Sequence, residues 1–145
     1  MRKIDSGEIP KRYLYCHHGK CPHRAKCLRY QAALAMPKEL LPVYETVNPH
    51  HIAGNEDNCT FFKTYATLRF ATGMDHLLDH IPHKVATAIK KDIYALMGRS
   101  MYYRVCSRER TLHPAEQNQI AAIFRKHGIK AVPEFDVYVE KYDWK

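Results

Sequence analysis

Four cysteines spaced C-x4-C-x5-C-x31-C, Cys16, Cys21, Cys27 and Cys59, are the residues of this chain with the most legible chemistry. Tetrahedral zinc takes four soft or borderline donors at about 2.0–2.3 Å, usually from two separated stretches of chain. Three thiols within YCHHGKCPHRAKC and a fourth in DNCTFF meet that requirement, and Gly19 eases the turn between the first two. The intervals are wider than those of a compact zinc knuckle. Neighbouring lysines and arginines favour thiolate and offset the charge of a four-thiolate site. His17, His18 or His23 can replace one thiol, because imidazole also suits zinc. The same sulfurs could instead hold an iron–sulfur cluster, although the C-x2-C-x2-C run is absent. The third alternative is no metal, with the thiols packed as small apolar groups. A closed set of four is structural, since it leaves no open position for water or substrate. The fifth cysteine, Cys106, lies beside Val105 on an expected helix and reads as core.

A second constellation is KKDIYALMGRSMYYRVCSRERTLHPAEQNQIAAIF. A helix, a turn at Gly98-Arg99-Ser100, a short helix capped by Ser100 and a further helix give the outline of a helix-turn-helix over residues 83–128. Its expected nucleic-acid contacts are Arg99, Ser100, Tyr102, Tyr103, Arg104, Arg108 and Arg110. Arginine bonds guanine edges and phosphates, and tyrosine donates to phosphate or stacks on a base. The bland alternative is a helical bundle with tyrosines in the core and arginines in solvent.

This stretch resembles the Cro/C1-type repressor helix-turn-helix through Ser100, Tyr103, Arg104, Glu109, Arg110, Pro114, Glu116 and Gln117. It departs from that pattern in a shorter turn after Gly98 and in Arg108, which stands where the family has glycine. The resemblance implies a recognition helix for duplex DNA. Over nearly its whole length the chain also resembles a family of small bacterial proteins without assigned function. That likeness rests on CLRY (27–30), VNP (47–49), C-x-x-F (59–62), GR-x-x-YYR (98–104), L-x-P-x-EQ (112–117) and Y-x-W (142–144). It implies no activity, ligand or partner.

The elements that must position these residues can be read from punctuation and periodicity. Residues 1–13 read as a flexible arm. Leu28 to Met36 is a helix ended by Pro37, and the prolines, Gly54 and NEDN of 42–58 mark an irregular connection. Phe62 to Ala71 leans towards a strand. Pro82 opens a helix whose Val85, Ile89, Ile93 and Leu96 recur every three to four residues up to Gly98. Pro114 opens another, with Ile120, Ile123 and Phe124 on its buried face and KHG at its end. Alternating Phe135, Val137 and Val139 suggest a terminal strand that pairs with 62–71. The expected fold is therefore α+β and mostly helical: a Cys-rich loop and helix segment, a helix-turn-helix-like three-helix unit, and a small sheet of about two strands. Residues 1–58 form the Cys-rich basic part and 59–145 the helical part, together one compact domain.

The 145 residues carry a net charge of +8, unevenly: nine Lys/Arg against three Asp/Glu over 1–40, and ten against three over 84–130. Such polarity invites a polyanion, nucleic acid being the commonest. No window approaches the roughly 20 apolar residues of a membrane helix, and MRKIDSGEIPKRYLY lacks the apolar core of a secretion signal. A cytoplasmic protein with reduced thiols is expected. The function expected is a metal-stabilised nucleic-acid-binding protein, most simply a small DNA-binding regulator, with a homodimer as one form. The alternative is a protein-interaction or scaffold module with a purely structural zinc. Catalysis is not expected: Cys16-His17-His18 offers thiol and imidazole, but adjacent residues rarely face each other, and no nucleophile elbow, phosphate loop or HExxH occurs. Asp75-His76 and Asp79-His80, at helical spacing, could bind a second metal but read first as a solvated face.

Overall fold

The computed structural model describes residues 2–37 and 41–145. The chain divides into two units, Met1–Thr67 with Tyr142–Lys145, and Leu68–Lys141. The division expected after residue 58 falls inside the first of these. As expected, the fold is α+β and mostly helical, with one two-stranded antiparallel sheet.

In the first unit, residues 2–13 are not the loose arm their sequence suggests. A 3-10 turn at Ser6–Glu8 is capped by Asp5, whose Oδ1 accepts from Gly7 N at 3.0 Å. Ile4 and Tyr13 are buried with Tyr15, Leu28, Ala32, Met36 and Tyr142. Leu28 and Ala32 come from helix α1 (Leu28–Ala35), which stops at the Met36-Pro37 pair because a residue before proline avoids the helical region. Burial of a side chain such as Leu28 contributes about 1.5–3 kcal/mol. The one-turn helix α2 (Pro49–Ile52) has Pro49 at its first position and Asn48 as its cap. It delivers Ile52 to a second small cluster with Cys16 and Val47.

The second unit is built from β1 (Thr67–Thr72), α3 (His83–Met97), α4 (Arg99–Cys106), α5 (Pro114–Lys126) and β2 (Val137–Tyr142). The strand expected at 62–71 begins later, because residues up to 66 are committed to pairing with the Cys-rich segment described below. Ile89 and Ile93 of α3, Val105 of α4, and Ile120 and Phe124 of α5 meet Ala71, Leu77, Leu112 and Phe135 in one core. Gly73 ends β1 at φ 80°, and a Cβ there would lie 2.6 Å from Asp136 Oδ2. That carboxylate accepts from the backbone N–H groups of Asp75 (2.9 Å) and His76 (3.3 Å), fixing the turns that follow. Residues 75–80 are a run of turns rather than a helix. His76 and Asp79 pair side by side there at 2.8 Å on the exposed surface. Among the described residues no helix is long and apolar enough to cross a membrane.

Candidate functional site

Two tight turns fold the thiol segment back on itself. Cys21 N–H donates to His18 O (3.1 Å), and Cys27 N–H to Arg24 O (3.3 Å) across a 3-10 turn at Arg24–Lys26. The segment carrying Cys59 is then laid alongside. Cys27 pairs with Thr64 in an antiparallel bridge, flanked by Leu28 N–H to Lys63 O (2.6 Å) and Tyr65 N–H to Lys26 O (2.8 Å). Arg29 locks the arrangement, donating from Nε to Phe61 O (2.7 Å) and from Nη1 to Leu14 O (3.0 Å). Two imidazole–carboxylate pairs complete it: His18 Nε2 lies 2.9 Å from Glu56 Oε1, and His23 Nε2 lies 2.6 Å from Asp57 Oδ1. The His18 contact holds the Glu56 carboxyl below its ordinary range.

Cys16 and Cys27 are buried, Cys21 and Cys59 half-buried, and all are free thiols. Cys59 packs on the Cys16 cluster. Burial pushes the Cys16 thiol up; the His18 backbone N–H at its sulfur pulls it down; charge on Cys27, Cys21 or Cys59 would push it up further. Ionisation of Cys16 is thus opposed by charge on any of the other three thiols. Among the described residues, however, no three Cys, His, Asp or Glu side chains are gathered closely enough to hold a metal ion as they stand.

In the second unit a single residue, Gly98 at φ 77°, joins α3 to α4. A helix-turn-helix joins its helices by three or four residues; here Gly98 alone joins them. Ser100 lies in the first turn of α4 and makes no cap bond; the cap position is Gly98. The seven residues expected at a nucleic-acid face separate into two groups. Arg99, Ser100, Tyr103, Arg104 and Arg108 are exposed. Tyr102 packs against the core, and burial pushes its hydroxyl up to about 12. Arg110 is also largely enclosed, its Nη2 donating to Glu116 Oε1 at 3.0 Å while Nη1 is buried without a partner. A concavity of about 350 Å³ at the α3–α4 junction gathers Arg99, Ser100, Arg104 and Arg110 beside the start of α4.

A family model described as "Family of unknown function (DUF6078)" matches residues 1–144. The chain belongs to this family. No curated protein and no solved structure matches it significantly.

The DUF6078 chain holds several positioning residues that its sequence does not advertise. Glu56 and Asp57 sit in NEDN, which reads as a turn, yet they face His18 and His23. Arg29 reads as one more surface charge but bridges two backbone carbonyls. The one available signal was compositional: three histidines in a thiol loop and two adjacent acids just before the fourth cysteine.

Proposed function

We propose that the chain is a nucleic-acid-binding protein of the cytoplasm, its first unit stabilised by zinc on Cys16, Cys21, Cys27 and Cys59. The observation that carries the nucleic-acid half is the concavity lined by Arg99, Ser100, Arg104 and Arg110. Backbone N–H groups at a helix start and arginine forks both suit phosphate oxygens. Arg99 has no ion-pair partner among the described residues. Arg104 and Glu109 are 4.0 Å apart and well exposed, a pairing worth about 0–1 kcal/mol that a phosphate can displace. For the zinc half, the support is the fold-back that pairs Cys27 with Thr64 and packs Cys59 on the Cys16 cluster. Zinc would supply the positive charge that four thiolates need.

The test is fluorescence anisotropy of labelled oligonucleotides titrated with protein between about 50 and 200 mM salt. Affinity is expected to fall linearly on logarithmic axes, with a slope of about 0.9 per phosphate engaged on duplex DNA, and Arg104→Ala is expected to reduce both affinity and slope. A flat salt response, or no binding at the lowest salt, would overturn the reading. A second reading, a protein-interaction module, is favoured by the internal pairing of Arg110 with Glu116 and the nearness of Arg108 to Asp136 (3.8 Å). It gains if Arg104→Ala leaves every oligonucleotide titration unchanged.

A further inference from the structure

The exposed side of α4 carries two ridges. Ser100 and Arg104, one turn apart, line the concavity. Arg99 and Tyr103, also one turn apart, form the ridge beside it. Tyr103 is 56% exposed, unusual for so large an aromatic side chain. Its ring is nevertheless held: it makes edge contacts with Tyr102 (5.5 Å, 89°) and Tyr94 (6.4 Å, 84°), which in turn touch each other at 5.4 Å. The outcome is a braced aromatic surface, presented to solvent on a helix that bears two arginines and no acidic residue. A ring already ordered in this way loses little conformational freedom when a flat partner covers it.

From this juxtaposition of a braced, exposed tyrosine with an arginine-lined notch at one helix end, we infer that the chain binds unpaired nucleic acid, stacking a base on Tyr103 and seating the adjoining phosphate in the notch. This rests on the nucleic-acid reading above and narrows it. Bases in a duplex already stack on each other and offer no free face, whereas every unpaired base does. The one-residue link at Gly98 points the same way, since it replaces the longer turn that sets a recognition helix for the major groove. Sequence preference should be weak, because stacking accepts any base.

The experiment compares a labelled single-stranded DNA, the same strand as RNA, its duplex, and a strand with abasic sites in place of its central bases. The proposal expects both unpaired strands to bind more tightly than the duplex. Abasic substitution is expected to weaken binding by about tenfold. Tyr103→Ala should lose affinity to the same degree for the intact strand and none for the abasic one, and Tyr103→Phe should restore it. Equal affinity for duplex and single strand, or an abasic strand that binds as well as the intact one, overturns the stacking proposal while leaving nucleic-acid binding standing. Absence of binding to all four probes overturns both.

Discussion

Arg108 is the one non-glycine residue with positive φ among the described residues, at 65°. It follows α4, where the chain reverses through Glu109 and Arg110 N–H groups that both donate to Arg104 O, at 2.9 and 3.1 Å. A left-handed residue with a Cβ costs about 1–2 kcal/mol relative to glycine in the same conformation, part of which glycine gives back through its freer unfolded chain. Arg108→Gly is therefore expected to raise stability by about 0.5–1 kcal/mol in denaturant titration. Loss of stability would show that the Arg108–Asp136 approach outweighs the backbone relief. The His76 imidazole is a contrasting case. Its hydrogen bond to Asp79 raises its pKa above 6.5, so whatever that pairing adds to stability is fully present below 6.5 and is lost as pH rises through the raised value.

At the level of elements, α5 shows how few side chains decide where a helix starts. His113 Nδ1 accepts from Ala115 N–H at 3.0 Å, and Glu116 Oε2 accepts from His113 N–H at 2.8 Å, a capping box with Pro114 at the first position. The other oxygen of Glu116 takes the Arg110 hydrogen bond. Glu116→Ala removes the cap and leaves a largely enclosed guanidinium without its carboxylate. A loss of about 2 kcal/mol is expected in thermal or denaturant unfolding, with Glu116→Gln losing less because it keeps one acceptor. A loss below about 0.5 kcal/mol would mean that solvent already satisfies both groups. Helices α3 and α5 were legible in the sequence because Pro82, Gly98, Pro114 and Gly128 punctuate strict three-to-four spacing of apolar residues. The anchoring of 2–13 through Ile4 and Tyr13 was not, since the two are too far apart to set a period, and their partners Tyr65 and Tyr142 are distant in the chain. The late start of β1 was hidden for a similar reason: Lys63 to Tyr65 continue the strand-like pattern but pair instead with Lys26 to Leu28. Of the candidate site, the four thiols and the basic helix could be named from residue type and spacing. The bracing of Tyr103 and the enclosure of Arg110 could not, because both depend on tertiary neighbours.

For the molecule as a whole, the first unit is discontinuous, made of Met1–Thr67 and completed by Tyr142–Lys145. Tyr142 is 1% exposed, stacks on Tyr65 at 5.4 Å and donates its hydroxyl to Arg2 O, while Trp144 packs edge-on against Tyr13 at 5.0 Å. If zinc closes the thiol cluster, elemental analysis of purified protein should find one metal atom per chain and a thiol count that leaves Cys106 alone reactive. Cys59→Ser should lose the metal, and chelation should destabilise the first unit by an amount on the order of 10 kcal/mol at most. Metal-free protein with five titratable thiols and unchanged melting would remove zinc from the account. The order of synthesis gives that discontinuity a further meaning. The residues Leu68–Lys141 are translated between the two halves of the unit, an interval of several seconds at about 5–20 residues per second. Throughout it the apolar cluster of Ile4, Tyr13 and Leu28 waits without Tyr142 to cover it. That surface stays uncovered until the ribosome delivers the closing tyrosine and tryptophan.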